Sequence, residues 1–185
     1  YHTKLKYETL DKRYFPTKGL KTNIFYTIYT NLHTNTAYSS LATQITKIFP
    51  ITLNTFIIPT IYGRFIFNDG IPFMYSNVIG GEGYNPHYEQ QIPFSGLTHT
   101  ESTLKLLGNA QIQVRHKFHE KQYLTLSGNY AIHQNQFSNF LQGKKIYGTS
   151  IGYGYDSPLG PIEGFICYSN RTNKLGFYLN IGFGF

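Results

Sequence analysis

The sequence has no tryptophan, a single cysteine and few charged residues, which make up 14% of its 185 residues. One cysteine, Cys167, excludes an internal disulfide framework. No stretch approaches the roughly 18 to 20 apolar residues of a membrane helix. The early charges, such as Lys4 and Glu8, do not fit a signal peptide. Because the chain starts at Tyr1 and not at methionine, we expect a mature product or a piece of a longer chain.

Residues that favour β-strands are abundant. The chain has 17 Tyr, 15 Phe and 18 Gly. Tyr, Phe, Thr and Ile favour strands, and glycine suits tight turns and crowded positions in a sheet. The composition therefore predicts an all-β protein. No linker or shift in composition divides it, so residues 1–185 are expected to form one domain.

The clearest pattern is in residues 174–185, KLGFYLNIGFGF. Apolar side chains occupy every second position, and glycine or polar side chains lie between them. A period of two places the apolar set on one face of a strand. We predict a closing strand whose key residues are Gly176, Leu179, Ile181, Phe183 and Phe185, and we expect Phe185 to be a true C-terminus.

Similar alternation predicts about eight or nine antiparallel strands joined in an up-and-down meander. Their predicted ranges are 2–10, 20–32, 38–49, 51–67, 104–118, 123–133, 146–155, 161–169 and 174–185. Pro59 lies inside one of these ranges and predicts a bulge or a kink. Residues 68–95 break the rhythm and predict a long, aromatic-rich, ordered loop.

Alternation alone fits two kinds of protein. A soluble sheet buries its apolar face, whereas a membrane barrel exposes that face to lipid. Several predicted strands reach the roughly 9 to 11 residues that cross a bilayer. In residues 104–118, Lys, Arg, Gln and Asn share one face, as expected for a wet barrel lumen. The sequence therefore favours a transmembrane β-barrel, and a soluble all-β binding module is the alternative.

The formal net charge of +7 raises the question of whether the chain binds nucleic acid. The Lys and Arg residues are dispersed along the chain, whereas a nucleic-acid site has a denser stripe. Scattered positive charge suits anionic lipid headgroups equally well. We therefore expect outer-membrane lipid, and no nucleic acid, as a partner.

Four motifs in order along the chain resemble the bacterial surface antigen superfamily of outer-membrane barrels, which includes BamA and TamA. They are Thr9-Leu10-Asp11 with Phe15-Pro16-Thr17-Lys18-Gly19, residues 79–84 (IGGEGY), residues 154–161 (GYDSPLGP), and Asn180-Ile181-Gly182 before Phe185. The resemblance covers most of the chain. It implies a bacterial outer-membrane location, a loop that folds back into the lumen, and a closing strand read by the barrel assembly machinery.

The resemblance also implies what surrounds this chain. The family barrel usually has sixteen strands, so this chain would be the C-terminal half. Residues 91–96, QIPFSG, are similar to the loop of barrels fused behind patatin-like phospholipases of Bacteroidetes. The implied function is to anchor such an upstream domain, with any lipase activity outside this chain. BamA and TamA carry V-R-G-F in the loop, whereas residues 68–95 contain no Arg. A role in protein insertion or translocation, behind POTRA domains, is therefore the alternative.

Candidate lumen and loop residues follow from the polar face and the loop motif. They are Gly80, Gly81, Glu82, Gly83, Tyr84, Arg115 and Lys117. Because buried charges need partners, we expect Arg115, Lys117, Lys105 and Glu163 to pair with the loop through Glu82.

Two motifs suggest chemistry but fit a structural role better. Residues 148–152 match G-x-S-x-G, yet a nucleophile elbow requires a strand-to-helix turn, and here the motif lies within a strand. His116 and His119 are three residues apart, which in a strand points them to opposite faces. We therefore predict no catalytic residue, no metal site and no cofactor.

Overall fold

Nine long strands form one antiparallel sheet. The structure is a computed structural model that describes residues 1–31, 36–68, 72, 75–81, 90–97 and 99–182. The sheet consists, in spatial order, of β1 (His2–Glu8), β2 (Gly19–Asn31), β3 (Thr36–Pro50), β4 (Thr55–Ile66), β8 (Leu106–His119), β9 (Gln122–Gln134), β10 (Lys144–Ser157), β11 (Gly160–Ser169) and β12 (Leu175–Ile181). This order confirms the predicted meander.

A second, smaller sheet interrupts the meander between β4 and β8. It consists of β5 (Asn77–Ile79), β6 (Gln91–Ile92) and β7 (Glu101–Thr103). The strand β5 lies in the middle, parallel to β6 and antiparallel to β7. The predicted long loop therefore lies within an insertion, residues 67–105, that has secondary structure of its own.

The two faces of the large sheet differ in polarity and in exposure. The face that the insertion covers is small or polar and includes Thr125, Ser127 and Asn129, all buried. The opposite face is apolar and exposed. Its exposed side chains include Ile112, Leu124, Leu126, Ile151, Ile166, Phe177, Leu179 and Ile181. A soluble sheet would bury these residues, whereas a continuous apolar surface of this size marks a membrane interface.

The two ends of the sheet are also different. At one end, which we call the short-turn end, residues 51–54, 120–121 and 158–159 connect neighbouring strands. At the other, the long-loop end, the connections include the insertion and residues 135–143. The latter contain a short 3-10 helix, Phe137–Gln142, that the sequence did not reveal. The insertion thus enters the interior from the long-loop end.

Two predicted strand boundaries were wrong. Residues 51–54 form a turn and not the start of a strand, and β3 continues through Pro50 beyond its predicted end at residue 49. No bulge forms at Pro59, because the pairing of β4 keeps one register with β3 and with β8 on both sides of it. Proline lacks the N–H donor but causes no slip, since neighbouring pairs hold the register.

The sheet is open. Among the described residues, β1 pairs only with β2 and β12 only with β11. A transmembrane sheet cannot leave an edge unpaired in lipid, because its backbone groups would lack hydrogen-bond partners. The chain is therefore a partial barrel. Within the described residues, no helix is long and apolar enough to span a membrane.

The exposed apolar face predicts how two adjacent substitutions on β8 differ. Ile112→Lys places a charge on the lipid face at mid-strand and is expected to cost about 2–4 kcal/mol of folding free energy in a bilayer. Gln113→Lys, one residue along, places the same charge on the interior face and is expected to cost far less. Folding titrations of both variants in liposomes measure the difference, and equal costs would contradict the assignment of faces.

Candidate functional site

The interior of the sheet is filled by two segments of the chain itself. The insertion, residues 67–105, packs on the wall from the long-loop end. The turn between β1 and β2, residues 9–18, folds inward at the short-turn end. Both segments rest on the interior face of the large sheet, where many side chains are small or polar.

A buried arginine holds the base of the insertion. Arg64 on β4 donates through Nη1 to Oδ1 of Asn77 over 2.6 Å. The Asn77 amide nitrogen then donates to the carbonyl oxygens of Leu104 and Lys105, over 2.7 and 2.8 Å. Arg64 is 4% exposed and Asn77 is fully buried. This pair therefore ties the start of the insertion to its end, and charge-assisted hydrogen bonds of this kind are about twice as strong as neutral ones.

Apolar side chains of the insertion form a core against the wall. Ile79, Ile92, Phe94 and Leu97 pack against wall residues of five strands. The wall residues in this cluster are Ala42, Tyr62, Leu107, Ala131 and Ile146. Leu107 is an apolar residue on a face of β8 that is otherwise polar, and its contact with the insertion explains why it is apolar.

Ser95, at the tip of the insertion, makes the polar contacts with the wall. Its Oγ lies 3.3 Å from Oγ of Ser127 and 3.2 Å from Oγ of Ser150. It also accepts a hydrogen bond from the amide nitrogen of Asn129 over 3.0 Å. All four side chains are buried, so this cluster satisfies the three hydroxyl groups and the Asn129 amide nitrogen, which would otherwise be costly inside the barrel.

Two of the predicted loop glycines shape the turn that carries this tip. Gly80 and Gly81 have φ of 118° and 72°, which glycine adopts far more readily than other residues. The Gly81 N–H donates to the carbonyl oxygen of Leu97, and its carbonyl accepts from the N–H of Phe94. The other three predicted loop residues, Glu82, Gly83 and Tyr84, lie outside the described residues.

The inward face of β10 consists of small residues because other groups lie directly over it. A Cβ atom on Gly148 would collide with the carbonyl oxygen of Ser95, and one on Gly152 with the ring of Phe165. On Gly154 it would lie 2.8 Å from the ring of Phe15. This crowding accounts for the G-x-S-x-G pattern, whose serine, Ser150, faces the same way. Since β10 continues through Ser157, no strand-to-helix turn follows Ser150.

An aromatic stack holds the β1–β2 turn inside the short-turn end. Phe15 is 1% exposed, and its ring lies parallel to that of Tyr123 with centroids 4.2 Å apart. The guanidinium carbon of Arg115 lies 5.4 Å from the Phe15 ring centroid. Phe15 has a φ of 45°, which is unusual for a bulky residue and costs on the order of 1–3 kcal/mol. Its packing offsets that strain, so the stack fixes the turn.

Asp11 organises the same turn from its exposed side. Its carboxylate accepts hydrogen bonds from the backbone N–H groups of Thr17 and Lys18 and from the Thr17 hydroxyl. Partial burial alone would raise the pKa of Asp11, but these hydrogen bonds outweigh it and hold the pKa below its usual value. The T-L-D and F-P-T-x-G motifs therefore form one structural unit.

The structure separates two of the predicted lumen cations, Arg115 and Lys117, from the described part of the insertion. Arg115 is buried and faces the β1–β2 turn, while Lys117 is half-buried nearby, and its N–H donates to the carbonyl oxygen of Asn54. The Nε and Nη1 atoms of Arg115 have no hydrogen-bond partner among the described residues. Pairing of these cations with Glu82 stays a prediction, since Glu82 lies outside the described residues.

The predicted closing-strand residues occupy both faces of β12. Leu179 and Ile181 are exposed on the lipid face, and Gly176 lies on the opposite face. Phe183 and Phe185 lie outside the described residues.

At the short-turn end, His116 Nδ1 lies 2.9 Å from the Thr55 hydroxyl. Among the described residues, no three His, Cys, Asp or Glu side chains are placed to hold a metal ion.

Comparison with known proteins agrees with this architecture. The family model of the OMP85 superfamily matches residues 1–185. The chain belongs to the OMP85 superfamily. A comparison with curated proteins found no match. Membership confirms the surface antigen resemblance and, with the exposed apolar face, makes the chain an outer-membrane β-barrel of that type. Barrels of the outer membrane usually have short turns toward the periplasm and longer loops toward the exterior.

Sequence reasoning missed several residues that fix the interior. Arg64, Asn77, Ser95 and Ser127 were not predicted as site residues, although they hold the insertion in place. Arg64 carried a signal, because it is the one charged residue in the strand-forming residues 55–66. The others are common polar residues whose partners lie far away in sequence, so only the fold brings them together.

The crowding over β10 predicts that one added methyl group displaces the insertion. Gly148→Ala forces a Cβ atom against the carbonyl of Ser95, and overpacking of this kind costs roughly 1–3 kcal/mol. We expect faster hydrogen exchange and proteolysis in residues 90–97. Gly128→Ala, on the adjacent strand, is the matched control, since a Cβ atom there meets nothing within 4 Å. Equal protection in both variants would rule out the close contact.

The lowered pKa of Asp11 predicts how the β1–β2 turn responds to acid. A carboxylate whose pKa is depressed in the folded state contributes stability above its unfolded pKa and loses it as the pH falls through the folded value. The turn is therefore expected to stay ordered below pH 3.8, the ordinary pKa. In Asp11→Asn, the Thr17 and Lys18 amides should exchange faster at neutral pH than in the unmodified protein. Their protection relative to intrinsic exchange should also change little as the pH falls below neutral. An unchanged Thr17 amide in the variant would contradict this role.

Proposed function

We propose that this chain anchors an upstream patatin-like domain in the bacterial outer membrane and does not conduct solutes or polypeptides. The observation that carries the proposal is the filled interior. The insertion packs Ile79, Phe94 and Leu97 against the wall, while Phe15 covers the short-turn end. A barrel filled by its own chain suits an anchor better than a passage.

The nature of the contacts supports a permanent filling. Arg64 and Asn77 are buried and satisfied at the base of the insertion, and Ser95 meets three buried partners at its tip. Withdrawing the insertion would leave several of these polar groups without partners, at about 1–3 kcal/mol for each. The QIPFSG segment that carries the tip is also where the sequence resembles barrels fused to patatin-like domains.

The open edges support a larger assembly. In the proposal, the free edges of β1 and β12 pair with strands of the same protein that precede this chain, which completes the barrel. The OMP85 superfamily implies the assembly machinery of the outer membrane as a general partner. The patatin-like domain, and alternatively POTRA domains, belong to the region upstream.

The proposal predicts that lipase activity and membrane attachment separate. The full-length protein should hydrolyse phospholipid and sediment with outer membranes. A version lacking residues 1–185 should keep the activity but appear in the soluble fraction. Lipase assays on both fractions measure this, with an inactive variant of the upstream nucleophile as the control for host lipases.

The alternative role, in insertion or translocation of other proteins, has its own readout. Deleting the gene would then lower the steady-state amounts of other outer-membrane proteins. We expect those amounts to stay unchanged, and we expect no lasting conductance from the purified protein in planar bilayers. Absence of lipase activity together with depleted outer-membrane proteins would overturn the anchor proposal in favour of the alternative.

A further inference from the structure

We propose that a cavity at the long-loop end binds a phosphate-bearing solute. This cavity, which we call the rim cavity, has a volume of about 400 Å³ and lies between β7, the ends of β9 and β10, and the turn after β11. Its volume is within the range of small-molecule sites. It is separate from the Ser95 contacts and from the β1–β2 turn.

The polar groups that line the rim cavity are mostly donors. Lys144 and Arg171 contribute two positive charges, and His133, Ser102 and Thr103 add an imidazole and two hydroxyl groups. Lys144 lies directly opposite His133 across the β9–β10 pairing. An anion in the cavity would be attracted to both Lys144 and Arg171.

Several of these donors are unused within the described chain. His133 accepts the N–H of Leu104 at Nδ1 over 3.3 Å, which places the proton of the neutral ring on Nε2. The Thr103 hydroxyl is buried and lacks a hydrogen-bond partner among the described residues. Arg171 donates through Nε to Glu101 over 3.0 Å, which leaves its two Nη groups available. The pair with Glu101 also orients the guanidinium.

The number and charge of the donors favour phosphate over carboxylate. A phosphate ester carries close to two negative charges and three strong acceptor oxygens. A planar guanidinium, an ammonium group and an imidazole N–H match those oxygens from different directions. The rim cavity is larger than one phosphate group needs, so we assign it to a phosphate ester.

The facing of the side chains favours a solute over a lipid headgroup. His133 and Lys144 alternate in step with the buried residues Ala131 and Ile146, so they belong to the interior face. Lys145 is offset by one residue and belongs to the outer face. The rim cavity therefore faces the barrel mouth, which in this family lies toward the exterior, and a soluble ester can enter without leaving water.

Titration of the full-length protein with inorganic phosphate and with pyrophosphate, by calorimetry in a non-ionic detergent, tests the proposal. We expect saturable binding that is tighter for pyrophosphate. Lys144→Gln and Arg171→Gln should each weaken it roughly tenfold, because each removes a charge-assisted hydrogen bond. Lys144→Arg keeps the charge and should retain most of the affinity.

Two controls define what would overturn the proposal. Lys121→Gln also removes one positive charge, but at the short-turn end, so it should leave phosphate binding unchanged. If it weakens binding as much as the rim variants do, the attraction is non-specific. Unchanged affinity in both rim variants, with folding checked by heat-modifiable migration, would also refute the site. The binding of inorganic phosphate is also measured in nanodiscs of lipid with and without a phosphate group. If only the phosphate-bearing lipid blocks this binding, the ligand is a lipid headgroup and the proposal of a solute is wrong.

Discussion

Everything inside this partial barrel depends on the row of small side chains along the inward face of β10. Gly148, Gly152 and Gly154 each lie beneath a group that any Cβ atom would strike. Ser150, between them, reaches the tip of the insertion with its hydroxyl. Because this row is flat, the insertion from one end and Phe15 from the other both reach the same wall. A larger side chain at these positions would hold one segment away from the sheet.

The filled interior and the exposed apolar face are two consequences of one constraint. In lipid, backbone polar groups must pair within the protein, so the chain forms a sheet whose outer side chains are apolar. The polar residues of each strand are then forced inward, where they too need partners. Arg64, Asn77, Ser95 and Asn129 provide partners for one another across the space between insertion and wall. The insertion thus supplies hydrogen-bond partners to several polar groups of the wall, and a filled barrel suits the anchoring role proposed above.

Much of the fold was predictable because a period of two is a local property. Strands β8, β9 and β10 alternate so regularly that the sequence placed most of their length and both of their faces. Errors came where local signals compete. Residues 51–54 look strand-like but form a turn, because the long β3–β4 pairing closes there. Pro59 suggested a bulge, yet the pairs around it keep the register. The small sheet of the insertion pairs segments that are too short to show a period.

By itself, the sequence determined the class of the protein, its strand order and its family, because alternation and turn motifs are read along the chain. Only the tertiary structure decided which residues share the interior. Arg64 meets Asn77, Ser95 meets Ser150, and Phe15 meets Tyr123 across separations from 13 to 108 residues. Such contacts follow from the curvature of the sheet and the path of the insertion, and neither has a local signature. In the sequence, the F-P-T-x-G motif of residues 15–19 indicates only a resemblance to a family. In the structure, it is part of a turn that the stacking of Phe15 on Tyr123 holds inside the barrel.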